Sequence, residues 1–191
     1  MTGIRPSVWL WGFGLVFVAV AAVAADADGY RRVTGPCDFE FPRDHGAHPG
    51  FRTEWWYYTG NLEASDGARF GFQLTFFRRQ LRPAPEQANG PQRPSAWRTN
   101  QIYLAHAALT DIDGNRHYAA EDIRRGALGL AGAERHGDAV RVFLGQWETV
   151  IRPPAHTLRM AGEDFGFDLR LEPVKAPVAH GDGGYSRKGT D

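Results

Sequence analysis

The segment from residue 45 to residue 60 carries the densest group of side chains that could do chemistry. It reads His-Gly-Ala-His-Pro-Gly-Phe-Arg-Thr-Glu-Trp-Trp-Tyr-Tyr-Thr-Gly, and four aromatic residues follow Glu54 without a break: Trp55, Trp56, Tyr57 and Tyr58. Neighbouring side chains on a strand point to opposite faces, so Trp56 and Tyr58 share a face with Glu54. A carboxyl group beside aromatic walls loses hydration, which raises its pKa and makes it a candidate proton donor at neutral pH.

Acid chemistry beside aromatic rings suits one class of reaction. The faces of aromatic rings stabilise a cation formed nearby, so the segment is suited to acid-initiated addition of water to a carbon–carbon double bond. Glu54 is then the candidate catalytic acid, and the four aromatic residues are candidate walls of a substrate pocket. The alternative is structural: the aromatic residues form the core, and Glu54 pairs with Arg52 or another arginine.

His106 is the second candidate catalytic residue. It lies on a predicted strand, on the same face as Ile102, Leu104 and Ala108, and this face is predicted to point into an apolar interior. A histidine in that position can orient a substrate or relay a proton. The structural alternative, a hydrogen-bonded histidine of the core, stays open.

The sequence predicts no metal site, no other cofactor and no serine nucleophile. A metal site can be drawn from His45, His48 and His106, but no His-x-x-x-His pair on a helix and no cysteine ligand supports it. No serine lies in a Gly-x-Ser-x-Gly turn, which argues against a serine hydrolase. Cys37 is the one cysteine of the chain, so no disulfide can form within it.

Composition and the first 25 residues bear on location and partners. The chain has 22 basic and 22 acidic residues and no basic cluster, which argues against nucleic acid as a partner. Arg5 precedes an apolar run over residues 8–23, and small residues stand before Asp26. This layout predicts a signal peptide at residues 1–25 and a periplasmic or secreted protein, with an uncleaved membrane anchor as the alternative.

Period-two patterns dominate the rest of the chain. Phe70, Phe72, Leu74 and Phe76 alternate with more polar residues, which predicts a half-buried strand that forms a hairpin with residues 54–62 around a turn at residues 65–67. Further strands are predicted near 116–118 and at 102–111, 139–144, 147–151, 156–160 and 165–171, and a proline-rich surface loop at 82–100. With no helix predicted after the signal segment, the fold class is all-β, an antiparallel barrel or sandwich, and edge closure favours the barrel.

Three motifs resemble one known family. They are His-Pro-Gly-Phe-Arg-Thr-Glu-Trp-Trp-Tyr-Tyr-Thr-Gly-Asn-Leu at 48–62, His-Ala-Ala-Leu-Thr-Asp at 106–111 and Gly-Asp-Gly-Gly-Tyr-Ser-Arg-Lys-Gly at 181–189. They are similar to the AttH, or hydroxyneurosporene synthase, family. Its members have two lipocalin-like β domains in tandem and include carotenoid 1,2-hydratases and exported proteins with only a provisional hydrolase label.

The resemblance implies how the chain is divided. It covers residues 38–189 and corresponds to the first domain of the family. The expected organisation is a signal peptide at 1–25, a flexible segment at 26–37, a lipocalin-like domain at 38–180 and a linker-like tail at 181–191, with the second domain absent.

Three functions follow as hypotheses. The first is an exported hydratase that acts on an apolar substrate such as an isoprenoid. The second is a non-catalytic periplasmic carrier of a hydrophobic small molecule, and the third is an accessory protein of an export system. The first two predict a hydrophobic small-molecule ligand, whereas the third predicts an interior filled by side chains.

Overall fold

The computed structural model describes residues 28–83 and 95–186. The predicted signal peptide at 1–25 and most of the predicted loop at 82–100 lie outside the described residues. Within them, one short 3₁₀ turn covers Arg43–His45, and the strands are β1 (Thr53–Glu63), β2 (Arg69–Gln80), β3 (Gln101–Asp111), β4 (Arg116–Arg125), β5 (Ala131–His136), β6 (Ala139–Leu144), β7 (Trp147–Arg152), β8 (Ala155–Ala161) and β9 (Gly166–Leu171). No helix in these two ranges is long and apolar enough to cross a membrane.

The strands form two antiparallel sheets. One has the order β1-β2-β3-β4 and the other the order β5-β6-β7-β8-β9, so within each sheet every strand pairs with its neighbours in sequence. The all-β prediction is confirmed, but the preference for a closed barrel is wrong for the described strands, because no ladder joins one sheet to the other. The hydrophobic core lies between the two sheets and closes the domain by side-chain packing instead.

Alternation along β2 builds one wall of this core. Phe72, Leu74 and Phe76 are buried, as the period-two pattern predicts, and β9 contributes Phe167 from the opposite sheet. The rings of Phe72 and Phe167 meet edge to face at 5.8 Å, which joins the two sheets. The sequence does not predict β5, because its small and charged residues lack an apolar period.

The turn between β1 and β2 depends on a glycine. Gly67 has a φ of +88°, which residues with a side chain rarely adopt, and a Cβ there would meet no atom within 4 Å. We therefore expect Gly67→Ala to lower the free energy of unfolding by about 1–2 kcal/mol through backbone strain alone.

Gly71→Ala is the matched control in the same hairpin. Gly71 lies within β2, and a Cβ there would make an ordinary contact with Thr110 at 3.8 Å. Gly71→Ala should leave the free energy of unfolding in urea unchanged or raise it. Equal losses in the two variants would contradict a backbone origin of the Gly67 effect.

The orientation of β3 corrects one prediction. Its buried face carries Tyr103, Ala105 and Ala107, whereas the side chain of His106 is 42% exposed on the outer face. The prediction that His106 points into the interior is wrong. Both faces of β3 carry apolar residues, so alternation alone could not tell which one meets the second sheet; packing selects the face with the large ring of Tyr103.

Residues before β1 pack back onto the sheet. Tyr30 is buried, and its hydroxyl donates to the carbonyl of Gln80 at 3.0 Å. The backbone N–H of Cys37 donates to the carbonyl of Gly183 at 3.1 Å, which brings the predicted tail beside this segment. These contacts form a wall around the first residues of β1.

Candidate functional site

A buried ion pair anchors the site. Glu54 and Arg78 are directly opposed in the register of β1 and β2, and Arg78 Nε donates to the Glu54 carboxylate at 2.7 Å. The Arg78 side chain has no exposed surface, whereas that of Glu54 is 16% exposed. Pairing with an arginine, the alternative left open for Glu54, is therefore the arrangement found, with Arg78 rather than Arg52 as the partner.

Arg78 also organises the loop that precedes β1. Its second terminal nitrogen donates to the carbonyls of His48 and Phe51, at 2.9 and 3.0 Å, and its first donates to the side chain of Gln80 at 3.1 Å. A buried guanidinium is tolerated because its donors are matched by acceptors in this way. Arg78 thus holds both the loop at 48–51 and the carboxylate of Glu54.

His48 lies between two carboxylates. Its backbone N–H donates to Glu54 at 2.8 Å, its ring Nδ1 is 3.3 Å from Glu54, and its Nε2 is 3.5 Å from Asp44. A hydrogen bond from the Arg43 guanidinium holds the pKa of Asp44 well below its usual range. The His48 ring is 40% exposed, so this acid–base group is accessible from solvent.

An open pocket lies beside these residues. It encloses about 740 Å³, and Asp44, His48 and Glu54 all contribute to its wall. The apolar part of its lining consists of Val33, Phe39, Phe51 and Trp55. The pocket therefore combines a small acid–base group with a surface suited to an apolar ligand.

The four aromatic residues after Glu54 go to different places. Trp55 lines the pocket and is 61% exposed, whereas Tyr57 is exposed on the outer face of β1. Trp56 and Tyr58 face inward and pack against the core. The pocket lies at the first residues of β1, and the strand runs away from it. The aromatic residues after Trp55 therefore do not line the pocket.

Tyr58 belongs to a second polar group, between the sheets. Thr149 donates to the Tyr58 hydroxyl at 3.0 Å, and this hydroxyl lies 3.1 Å from Nδ1 of His156. The rings of His156 and His45 meet edge to face at 5.4 Å. Burial lowers the pKa of both histidines, and His45 lowers that of His156 further.

These histidines predict acid sensitivity. Their pKa values are lower in the folded chain than the ordinary value of about 6.5, so below that pH the unfolded chain binds more protons. The contribution of these two histidines to the free energy of unfolding should be fully present above neutral pH. It should decrease as the pH falls below about 6.5 toward their lowered pKa values. We expect a lower urea midpoint at pH 5.5 than at pH 7.5, and a smaller decrease in His156→Asn.

His180→Asn serves as the control for this measurement. His180 is an exposed residue that follows β9, just before the tail, so its replacement should keep the wild-type decrease. If His156→Asn and wild type lost the same stability between the two pH values, the assignment to His156 would fail.

Sequence reasoning missed Arg78 and Asp44 and gave no chemical role to His48 beyond a drawn metal site. A signal for Arg78 was present, because it continues the buried parity of Phe72, Leu74 and Phe76 along β2. No such signal marks Asp44, since it reaches the site through a 3₁₀ turn.

His106 does not join this group. It lies on the outer face of the β1–β4 sheet, where its Nε2 is 3.8 Å from Glu121. Across residues 28–83 and 95–186, no three His, Cys, Asp or Glu side chains are arranged to hold a metal ion. The acid–base group centred on His48 therefore includes Asp44 and Glu54 but not His106.

Comparisons with known proteins assign the family. A family model described as AttH-like matches residues 32–191. The crystal structure of a candidate AttH protein from Nitrosomonas europaea is similar to the chain, with 34% identity and a TM-score of 0.65 over 83% of this chain and 45% of that one. This chain therefore spans less than half the length of that protein, and no curated protein sequence matches it. The chain belongs to the AttH-like family.

Proposed function

We propose that the chain is an exported lipocalin-like protein that binds an apolar, isoprenoid-type alkene in the pocket beside His48 and adds water to its double bond. One observation carries the proposal: His48 is held between Asp44 and Glu54 in the wall of a pocket with an apolar and aromatic lining. Family membership agrees with this proposal, since the resemblance includes carotenoid hydratases.

The reaction needs a proton, a cation and a water molecule. His48, when protonated, donates its Nε2 proton to the less substituted carbon of the alkene, and the longer contact to Asp44 at 3.5 Å is the one that the ligand replaces. The tertiary cation that forms lies against the ring of Trp55. Water adds to the cation, and the oxonium ion returns one proton to His48, so the sum is one water added.

Glu54 has a different part in this proposal from the one predicted for it. Its carboxylate is held by Arg78 and by the backbone N–H of His48, and it faces Nδ1 of the imidazole. A carboxylate in that position orients the ring and stabilises the imidazolium, as in other acid–base pairs. Glu54 is therefore a positioning residue, and His48 is the catalytic acid.

A carrier without catalysis is the second candidate. The Glu54–Arg78 pair is a complete structural unit with its donors satisfied, and it would hold the pocket together without any reaction. The apolar lining would then be the functional feature. This candidate predicts the same ligand class but no product.

Labelled water separates the two candidates. The purified chain is incubated with lycopene, an acyclic carotenoid, in detergent micelles made with ¹⁸O water, and both bound and free pigment are analysed by mass spectrometry. A product heavier by one labelled water supports the hydratase. Bound lycopene without product supports the carrier, and the absence of both binding and product contradicts the two candidates together.

A further inference from the structure

A second cavity, with a charged wall, adjoins the pocket beside His48. It encloses about 400 Å³. Four residues line both cavities: Arg31, Arg43, Asp44 and His48. The rest of the second cavity comes from the loop at 46–50 and from β5, which contributes Glu134 and Arg135. Three arginines and two carboxylates line this cavity, so its wall carries one positive charge when His48 is neutral.

Arg31 is the source of that uncompensated charge next to the pocket. Arg43 is neutralised, because it pairs with Asp44 at 2.9 Å and with Glu40 at 2.7 Å. No carboxylate in residues 28–83 and 95–186 lies within 4 Å of the Arg31 guanidinium. Asp38 lines the pocket but not the second cavity. The second cavity is therefore the side that favours an anion.

Arg31 is held in place by the loop before β1. Its guanidinium carbon lies 5.0 Å from the centre of the Phe51 ring, a cation–π contact. Its backbone N–H donates to the carbonyl of Gly50 at 2.9 Å. A Cβ on residue 50 would collide with Cδ and Cγ of Arg31, so the arginine stem uses the space that Gly50 leaves open. Arg31 is thus positioned before a ligand arrives, which lowers the entropic cost of binding.

The two cavities together suit an amphiphilic ligand. The pocket offers an apolar lining to a hydrocarbon chain, and Arg31, which forms part of both walls, offers a cation to a polar end. Arg31 is an exposed residue, so its guanidinium is accessible to such a group. The planar guanidinium can donate two parallel hydrogen bonds to a carboxylate or to a phosphate.

We propose that the ligand of the pocket carries an acid group at one end, a carboxylate or a phosphate, and that Arg31 binds this group while the isoprenoid chain fills the pocket. This head-group site rests on the proposed function, because the chain that it extends is the alkene of that reaction. Arg31 decides which isoprenoids bind, and His48 remains the catalytic acid. Lycopene has no acid group and therefore reports on the pocket alone.

Three ligands with the same farnesyl chain test the head-group site. Farnesol, farnesoic acid and farnesyl phosphate are each titrated into the full chain at pH 7.5, below their micelle-forming concentrations, and binding is measured by calorimetry. At least one of the two anions should bind about tenfold or more tightly than farnesol, as expected for charge-assisted hydrogen bonds. The tighter of the two anions identifies the acid group. Added salt, at about 0.5 M, should reduce the preference through screening.

Three variants assign the preference to Arg31. Arg31→Gln should bring the affinities for the anions close to that for farnesol, and the affinity for farnesol should stay at the wild-type value. Arg32→Gln is the matched control, since Arg32 is an exposed neighbour that lines neither cavity. It should keep the full preference. Gly50→Ala keeps the charge but displaces the stem of Arg31, so it should also lower the preference.

The outcomes separate the head-group site from the hydration reaction. Equal wild-type affinity for all three ligands would overturn the head-group site and leave the proposed function intact, and so would a preference that Arg31→Gln retains. If none of the three ligands bound, the isoprenoid pocket itself would be refuted, and the head-group site with it.

Discussion

Arg78→Met should lower the free energy of unfolding by about 3–5 kcal/mol, as expected when one partner of a buried ion pair is removed. Arg78 has no exposed side-chain surface, and it donates to Glu54 and to the carbonyls of His48 and Phe51. Methionine fills a similar volume but leaves the partly buried carboxylate of Glu54 without its cation. Urea unfolding followed by circular dichroism measures the loss.

Two further variants separate this cause from a general effect of changing an arginine. Arg79→Met alters the adjacent residue, which is exposed and makes only a 3.4 Å contact with Thr53, so its effect should stay within about 0.5 kcal/mol. Adding Glu54→Leu to Arg78→Met should recover roughly 1–3 kcal/mol, because the unpaired charge is gone. Equal effects of Arg78→Met and Arg79→Met would refute the importance of the buried pair.

His48→Gln should reduce hydration of lycopene by a factor of about 10²–10⁴, the usual contribution of general acid catalysis. Glutamine cannot deliver a proton, yet the variant keeps the backbone N–H that donates to Glu54, so the loop should stay folded. Lycopene affinity, measured by quenching of tryptophan fluorescence, should change little. Imidazole added to His48→Ala should restore part of the turnover.

Glu54→Gln is the informative comparison. If Glu54 were only the catalytic acid, Glu54→Gln would lose turnover and still fold like the wild type. The structure predicts a loss of stability as well, because an uncharged amide cannot neutralise the buried Arg78. Full turnover in His48→Gln, together with wild-type stability in Glu54→Gln, would refute the division of roles between these two residues.

Much of the fold could be predicted from local pattern. Alternation in β2 and β9 correctly predicted the face of each strand that packs on the core, although the core-facing residues of β9 are only half-buried, and Gly67 marked the first hairpin. Both signals are local, because side-chain parity and turn geometry are properties of a few consecutive residues. The number of sheets was not predictable in this way, since pairing between β4 and β5 or between β9 and β1 depends on distant backbone groups.

The candidate site was predicted in part. The segment at 45–60 contributes Glu54, His48 and Trp55 to the pocket, so its composition was informative. The sequence could not show that the other three aromatic residues lie outside the pocket, because the pocket lies at one end of β1 rather than along it. His106 was assigned to the wrong face since both faces of β3 are apolar.

By itself, the sequence determined most of the strands, the first hairpin and the segment that carries the site, because these follow from alternation and turn chemistry over short stretches; β5, without an apolar period, was the exception. Only the tertiary structure decided that Arg78 pairs with Glu54, that His48 lies between two carboxylates and that His106 faces outward. The reason is physical: each of these depends on which face of a strand meets the other sheet and on where a loop packs. Neither is a local property of the chain.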